Sequence, residues 1–101
     1  MNTRLTPKDR HASILNAALR MSRLHGYQQV RRSDIASAAE CSEALVSSYF
    51  GTMTQMRRAV VRAAVKHRDL TVIAQAIVAK DPHIKKIPAD LHQSAVASLV
   101  A

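Results

Sequence analysis

Between residues 33 and 50 the chain reads S-D-I-A-S-A-A-E-C-S-E-A-L-V-S-S-Y-F, two short helical patterns joined by a tight turn. Ser33 is placed to cap the first, with Asp34 at its positive end and Ile35, Ala36 and Ala39 on one face at helical spacing. Ser42 is placed to cap the second. Ala44 and Val46 with Phe50 are its expected apolar anchors, which leaves Glu43, Leu45, Ser47, Ser48 and Tyr49 to point elsewhere. Small alanines let two helices cross closely, and the whole stretch has the layout of a helix-turn-helix, the motif that sets a helix into the major groove.

Upstream, Thr6-Pro7-Lys8-Asp9 reads as a helix start: a capping threonine, proline at the first helical position and an acid in the first turn. Ile14, Leu15, Ala18, Leu19 and Ser22 repeat at helical spacing, and Gly26 is expected to end the helix in a left-handed conformation, giving a helix from about Pro7 to His25. Tyr27 and Val30 supply apolar bodies that can seal the junction with the next helix. Arg31 and Arg32 stand at the entrance of the motif, where phosphate contact is the expectation.

Downstream, Thr52 or Thr54 can open a fourth helix. Met56, Val60, Ala63, Ala64, His67, Leu70, Ala74, Ile77 and Val78 trace an apolar stripe that either runs unbroken to Lys80 or bends near residues 67–69. Asp81-Pro82 ends it, because proline disfavours a helical residue before it. After a basic connector, Ile87-Pro88-Ala89-Asp90 reads as a new start, with Leu91, Ala95, Val96, Leu99 and Val100 as its apolar face. The expected organisation is a DNA-binding head over residues 1–52 and a helical linker and dimerisation segment over 53–101, together one compact unit.

Composition supports an all-α fold: 48% of residues are hydrophobic but only 3% aromatic, and two glycines and three prolines leave few turns for a sheet. No apolar run approaches the ~20 residues of a membrane span, and the opening M-N-T-R-L-T-P-K lacks a secretory apolar segment, so a cytoplasmic protein without a membrane partner is expected. The single Cys41 permits no internal disulfide and reads as a small apolar residue at the turn. The five histidines have no ligand spacing, and no phosphate loop, zinc signature or nucleophile motif is present, so neither an enzyme nor a metal or other cofactor is expected.

The net charge of +8 is unevenly placed. Residues 1–68 hold twelve Lys and Arg against four Asp and Glu, whereas residues 69–101 hold three against three. A basic half that coincides with the helix-turn-helix points to double-stranded DNA as partner, through displacement of condensed counterions. Scarce aromatics argue against single-strand or RNA binding, which usually stacks bases on rings.

From about Arg10 to Val65 the chain resembles the N-terminal DNA-binding domain of the tetracycline-repressor (TetR) family. The likeness lies in I-L-N-A-A-L of the first helix, Gly26-Tyr27 at its end, Asp34-Ile35-Ala36 with Ala39, Ser42 with Ala44, and Tyr49-Phe50. It implies a homodimeric regulator whose third helix enters the major groove. It gives Ser42 a phosphate contact, sets Glu43, Leu45 and Ser48 facing base edges, and gives Tyr49 a backbone or base contact. Ser33 beside the two arginines, and Ser47, where the family commonly has tyrosine, complete the expected contacts. Met53 stands where a lysine is usual, so Arg57 or Arg58 is the expected replacement clamp. Glu40-Cys41 replaces a glycine-valine turn, which should be strained or rearranged.

Only about thirty residues follow the fourth helix, against the roughly hundred or more of a family ligand-binding domain. The expectation is therefore a minimal repressor without a small-molecule pocket, controlled by its own concentration or by a partner protein on its C-terminal helices. Two other jobs fit the same residues: a partition, architectural or antitoxin protein that binds DNA, and a helical interaction module whose basic face meets an acidic protein.

Overall fold

The computed structural model describes residues 5–100, and these form six α-helices with no strand among them. Arg4, counted in the basic half, and the first residues of the segment read for a signal, 1–4, lie outside the described residues. The helices are α1 (Pro7–His25), α2 (Arg32–Ala39), α3 (Glu43–Phe50), α4 (Met53–Lys66), α5 (Leu70–Val78) and α6 (Ala89–Val100), with a 3-10 turn at Pro82–Lys86. None of the described helices is long and apolar enough to cross a membrane.

α1 begins as its sequence indicates, with Thr6 Oγ1 accepting from the Asp9 N–H at 3.1 Å and Pro7 at the first position. Ile14, Ala17, Ala18 and Leu19 bury one side of it against α2 and α4. It ends at Gly26, whose φ of 89° and ψ of 135° lie in a glycine region outside the left-handed helical well expected there. Tyr27 and Val30 then turn into the core, 2% and 1% exposed. One continuous apolar core threads all six helices through Ile14, Ile35, Val46, Met56, Val60, Val72, Ile73 and Leu91.

The long downstream stripe is broken. α4 stops at Lys66, Arg68 turns left-handed (φ 56°), and Asp69 restarts the chain by accepting from the Val72 N–H at 3.2 Å. The break re-phases the pattern beyond it, so Val72, Ile73 and Ala76 join the core while Val78, assigned to the stripe from sequence, is exposed, as is His67 at the break itself. A left-handed residue rotates the next helix, and a periodicity counted straight through it loses register.

Two side-chain bridges tie α5 to the end of α1. Gln75 accepts from the Tyr27 N–H at 2.9 Å and donates to the Ser22 carbonyl at 3.0 Å, while Arg23 pairs with Asp69. Tyr27 also donates its hydroxyl to Asp81 at 2.8 Å. Burial raises the Tyr27 phenol well above its ordinary value, with the Asp81 carboxylate reinforcing the shift. Burial also raises Asp81, but the His83 N–H, the Tyr27 hydroxyl and the His83 ring outweigh it, so the carboxyl sits below the usual range.

α6 packs on α5 through its buried Leu91 and Ala95. Val96, Leu99 and Val100 stay exposed with Val78, so the apolar face read from the sequence is only half covered within the chain.

Candidate nucleic-acid interface

α3 is eight residues long, and its orientation follows from one side chain. Val46 is 1% exposed and points into the core. At 100° per residue, Ala44 and Ser48 lie about 160° around the helix from it, and both are exposed. Ala44 and Val46 are two residues apart, a strand spacing, so they cannot both face inward from a helix. The sequence assignment of Ala44 as an anchor is therefore corrected: it shares the outward face with Ser48, one turn on. That relationship was available from Val46 alone.

The remaining α3 candidates divide by flank. Glu43 is exposed in the first turn and makes no ion pair among the described residues. Leu45 and Tyr49, one turn apart, are half-buried and packed against the core along one flank; Ser47 is half-buried on the other. Leu45 thus spends part of its surface on packing, which its placement among the outward residues had not anticipated. Ser42 caps the helix, its Oγ accepting from the Leu45 N–H at 3.0 Å, and is itself exposed. An exposed helix start with its dipole and free N–H groups favours an anionic oxygen.

The turn before α3 is ordered rather than rearranged. Glu40 takes φ 56° and ψ 48°, its N–H bonds to Ser37 O, and the Cys41 N–H bonds back to Ala36 O at 3.0 Å. These paired bonds are a Schellman ending, usually served by glycine. The left-handed glutamate is the strain expected from the Glu40-Cys41 pair, while Cys41 packs half-buried against the core. Arg20 donates to the Ala38 carbonyl at 3.2 Å, satisfying a free acceptor at the end of α2 and fixing it to α1.

α2 starts two residues earlier than its serine indicates. Arg31 is the capping position, and its N–H donates to the Asp34 carboxylate at 2.9 Å; Ser33 is an exposed residue of the first turn, not the cap. The carboxylate three residues on reaches the entrance N–H, which leaves the serine hydroxyl free. Arg31 is exposed and Arg32 half-buried, its Nε enclosed without a partner among the described residues.

After α3, Gly51 takes φ 76°, and a Cβ there would lie 2.1 Å from Gln55 Oε1. That oxygen accepts from the Thr52 N–H at 2.9 Å while Thr52 Oγ1 accepts from the Gln55 N–H at 3.1 Å, a capping box that fixes the start of α4 beside the end of α3. Met53, where the family lysine would stand, is half-buried against the core. Arg57 is half-buried with its Nε enclosed, and Arg58, the other replacement considered, is exposed one residue around the helix.

The elements that position the outward face of α3 are α2, entered at Arg31 and Arg32, and the capped starts of α3 and α4. Residues 14–60, which span these elements, match the family of bacterial regulatory proteins of the tetR family. The chain carries the DNA-binding head of a TetR-family regulator. It is also similar to the HTH-type transcriptional regulator BetI of Agrobacterium fabrum, 34% identical over 85 residues, which cover 84% of this chain and 41% of the relative. The chain therefore spans about two fifths of that protein's length. No solved structure matches it significantly. Within this TetR-family frame α1 backs the motif, α2 supports it and α3 presents Ala44 and Ser48; sequence reasoning missed Ala44 and the steric role of Gly51.

Proposed function

We propose that this chain is a transcriptional repressor that acts as a homodimer in the cytoplasm, setting two copies of α3 into successive major grooves of a pseudo-palindromic operator roughly 34 Å apart. The outward face of α3 carries this reading. It presents Ala44 and Ser48 opposite the buried Val46, with Ser42 and Glu43 at the helix start. On this reading Ser42, Arg31, Arg32 and Ser33 hold backbone phosphates, with the half-buried Arg57 as a secondary contact. Glu43, Ser48 and Ala44 meet base edges, with Leu45, Ser47 and Tyr49 contributing their exposed flanks. Residues 1–52 serve as the reading head and 53–101 as linker and dimerisation segment.

The half-covered face of α5 and α6 supports the dimer. Val78 and Leu99 are 67% and 49% exposed beside an open cleft of about 520 Å³ between these helices and the end of α1. A matching face on a second copy would cover it isologously. Bound to its operator, the dimer would block RNA polymerase. Sedimentation of the chain with and without duplex tests the reading: two chains per operator are expected, and one chain per duplex at saturation contradicts the dimer.

A further inference from the structure

A second open cleft, of about 570 Å³, runs along α4 between the N-terminal half of α1 and the end of α3. Ligand sites occupy this range of volume. One wall is aromatic: the His11 ring lies 4.4 Å from Phe50 and 6.5 Å from Tyr49. The other edge is a row of cations, Arg58, Arg62 and Lys66, all exposed and spaced four residues apart on one face of α4. The row spans about 12 Å at the helical rise.

Like charges one turn apart destabilise a helix. α4 contains no acidic residue to offset them, and none of the three forms an ion pair among the described residues, whereas Arg23 and Arg68 each pair with an aspartate. The cleft lies to one side of the face proposed to meet DNA and shares only Tyr49 with its contacts. The α3 side chains that reach it, Tyr49 and Phe50, lie on the Val46 side of the helix, about 100° or more from Ala44 and Ser48.

We propose that this cleft binds a small organic polyanion, a flat ring carrying a chain of phosphates, with the phosphates along Arg58, Arg62 and Lys66 and the ring against His11 and Phe50. Arginine forks hold phosphate oxygens in pairs, and lysine adds a movable point charge at the end of the row. The length of the row suits a charge spread over several phosphates, and the ring wall selects against a bare inorganic chain. The assignment stands independently of the role given to α3.

Calorimetric titration of the intact chain with ATP, inorganic triphosphate and adenosine tests it. ATP is expected to bind saturably with one site per chain, triphosphate more weakly, and adenosine without measurable heat. The double variant Arg58→Gln/Arg62→Gln should weaken ATP by about tenfold or more. Lys66→Gln, a single change at an exposed position, gives a second reading of the row and should weaken ATP about threefold. Arg31→Gln, at the entrance of α2, should lower duplex affinity and leave ATP affinity unchanged. Absence of saturable ATP binding overturns the proposal. So does an equal loss of ATP affinity in Arg31→Gln and the double variant, which would place the phosphates on the DNA face. Loss of duplex affinity in the α4 variants without ATP binding to the native chain would assign the row to the DNA backbone instead.

Discussion

The Tyr27 hydroxyl donates to the Asp81 carboxylate at 2.8 Å, joining the end of α1 to the 3-10 turn after α5 across 54 residues of sequence. Tyr27 is 2% exposed, so its removal leaves a half-buried carboxylate short of one donor. Tyr27→Phe should destabilise the fold by about 1–3 kcal/mol in urea unfolding.

The same pair sets two limits on stability against pH. The Tyr27 phenol is held above its ordinary value of about 10, so its contribution is full below that pH. As pH rises further the unfolded chain releases the proton first, and stability falls. Asp81 is held below the ordinary aspartate value of about 3.9, so its contribution is full above that pH and is lost as acid protonates it. Unfolding midpoints measured across pH should decline on both sides, and Tyr27→Phe should flatten the alkaline decline above about pH 10.

Glu40 holds a left-handed conformation at the turn of the helix-turn-helix, with a Schellman ending that glycine serves without strain. Glu40→Gly should raise stability by about 0.5–1 kcal/mol, the relief of strain exceeding the entropy that glycine adds to the unfolded chain. Thermal unfolding of the pair of proteins reads this; an equal loss instead of a gain would mean that the turn does not take this form.

Gly51→Ala should act in the opposite sense. Its Cβ would collide with the Gln55 amide and break the Thr52–Gln55 capping box, in a backbone conformation that already disfavours alanine. A loss of about 1–3 kcal/mol is expected. Duplex affinity should fall with it, since the box fixes the start of α4 against the end of α3.

Much of this was legible in local sequence. Thr6-Pro7, Ser42 and Thr52 announced their helices because a cap and its N–H partner lie three residues apart, within one turn of chain. The phase of α3 was also encoded, in Val46, but was misread by pairing it with Ala44. What local reading could not supply were contacts made across the fold: Tyr27 with Asp81, Gln75 with Ser22, and Arg20 with the Ala38 carbonyl. The break at residues 67–69 was seen only as an option, because a left-handed arginine has no distinctive sequence signal. The cleft beside α4 was equally hidden, since it forms from side chains of three helices while only its cation row lies within one.

The arginines and the outward face of α3 should separate in binding experiments. Arg31→Ala and Arg32→Ala should weaken all duplexes alike and lower the slope of log affinity against log salt by about 1 each, as expected for lost phosphate contacts. Ser48→Ala and Leu45→Ala should change sequence preference, with Ser48 the stronger effect because Leu45 is partly engaged in the core. Fluorescence anisotropy over a salt series distinguishes the two behaviours.

The most direct test is selection of bound duplexes from a random pool at moderate salt. If two copies of α3 read successive major grooves, the enriched sequences form an inverted repeat with half-site centres about 10 base pairs apart, and Ser48→Ala shifts the preferred bases within each half. A bound pool with no enriched sequence, retained through charge alone, would contradict the account.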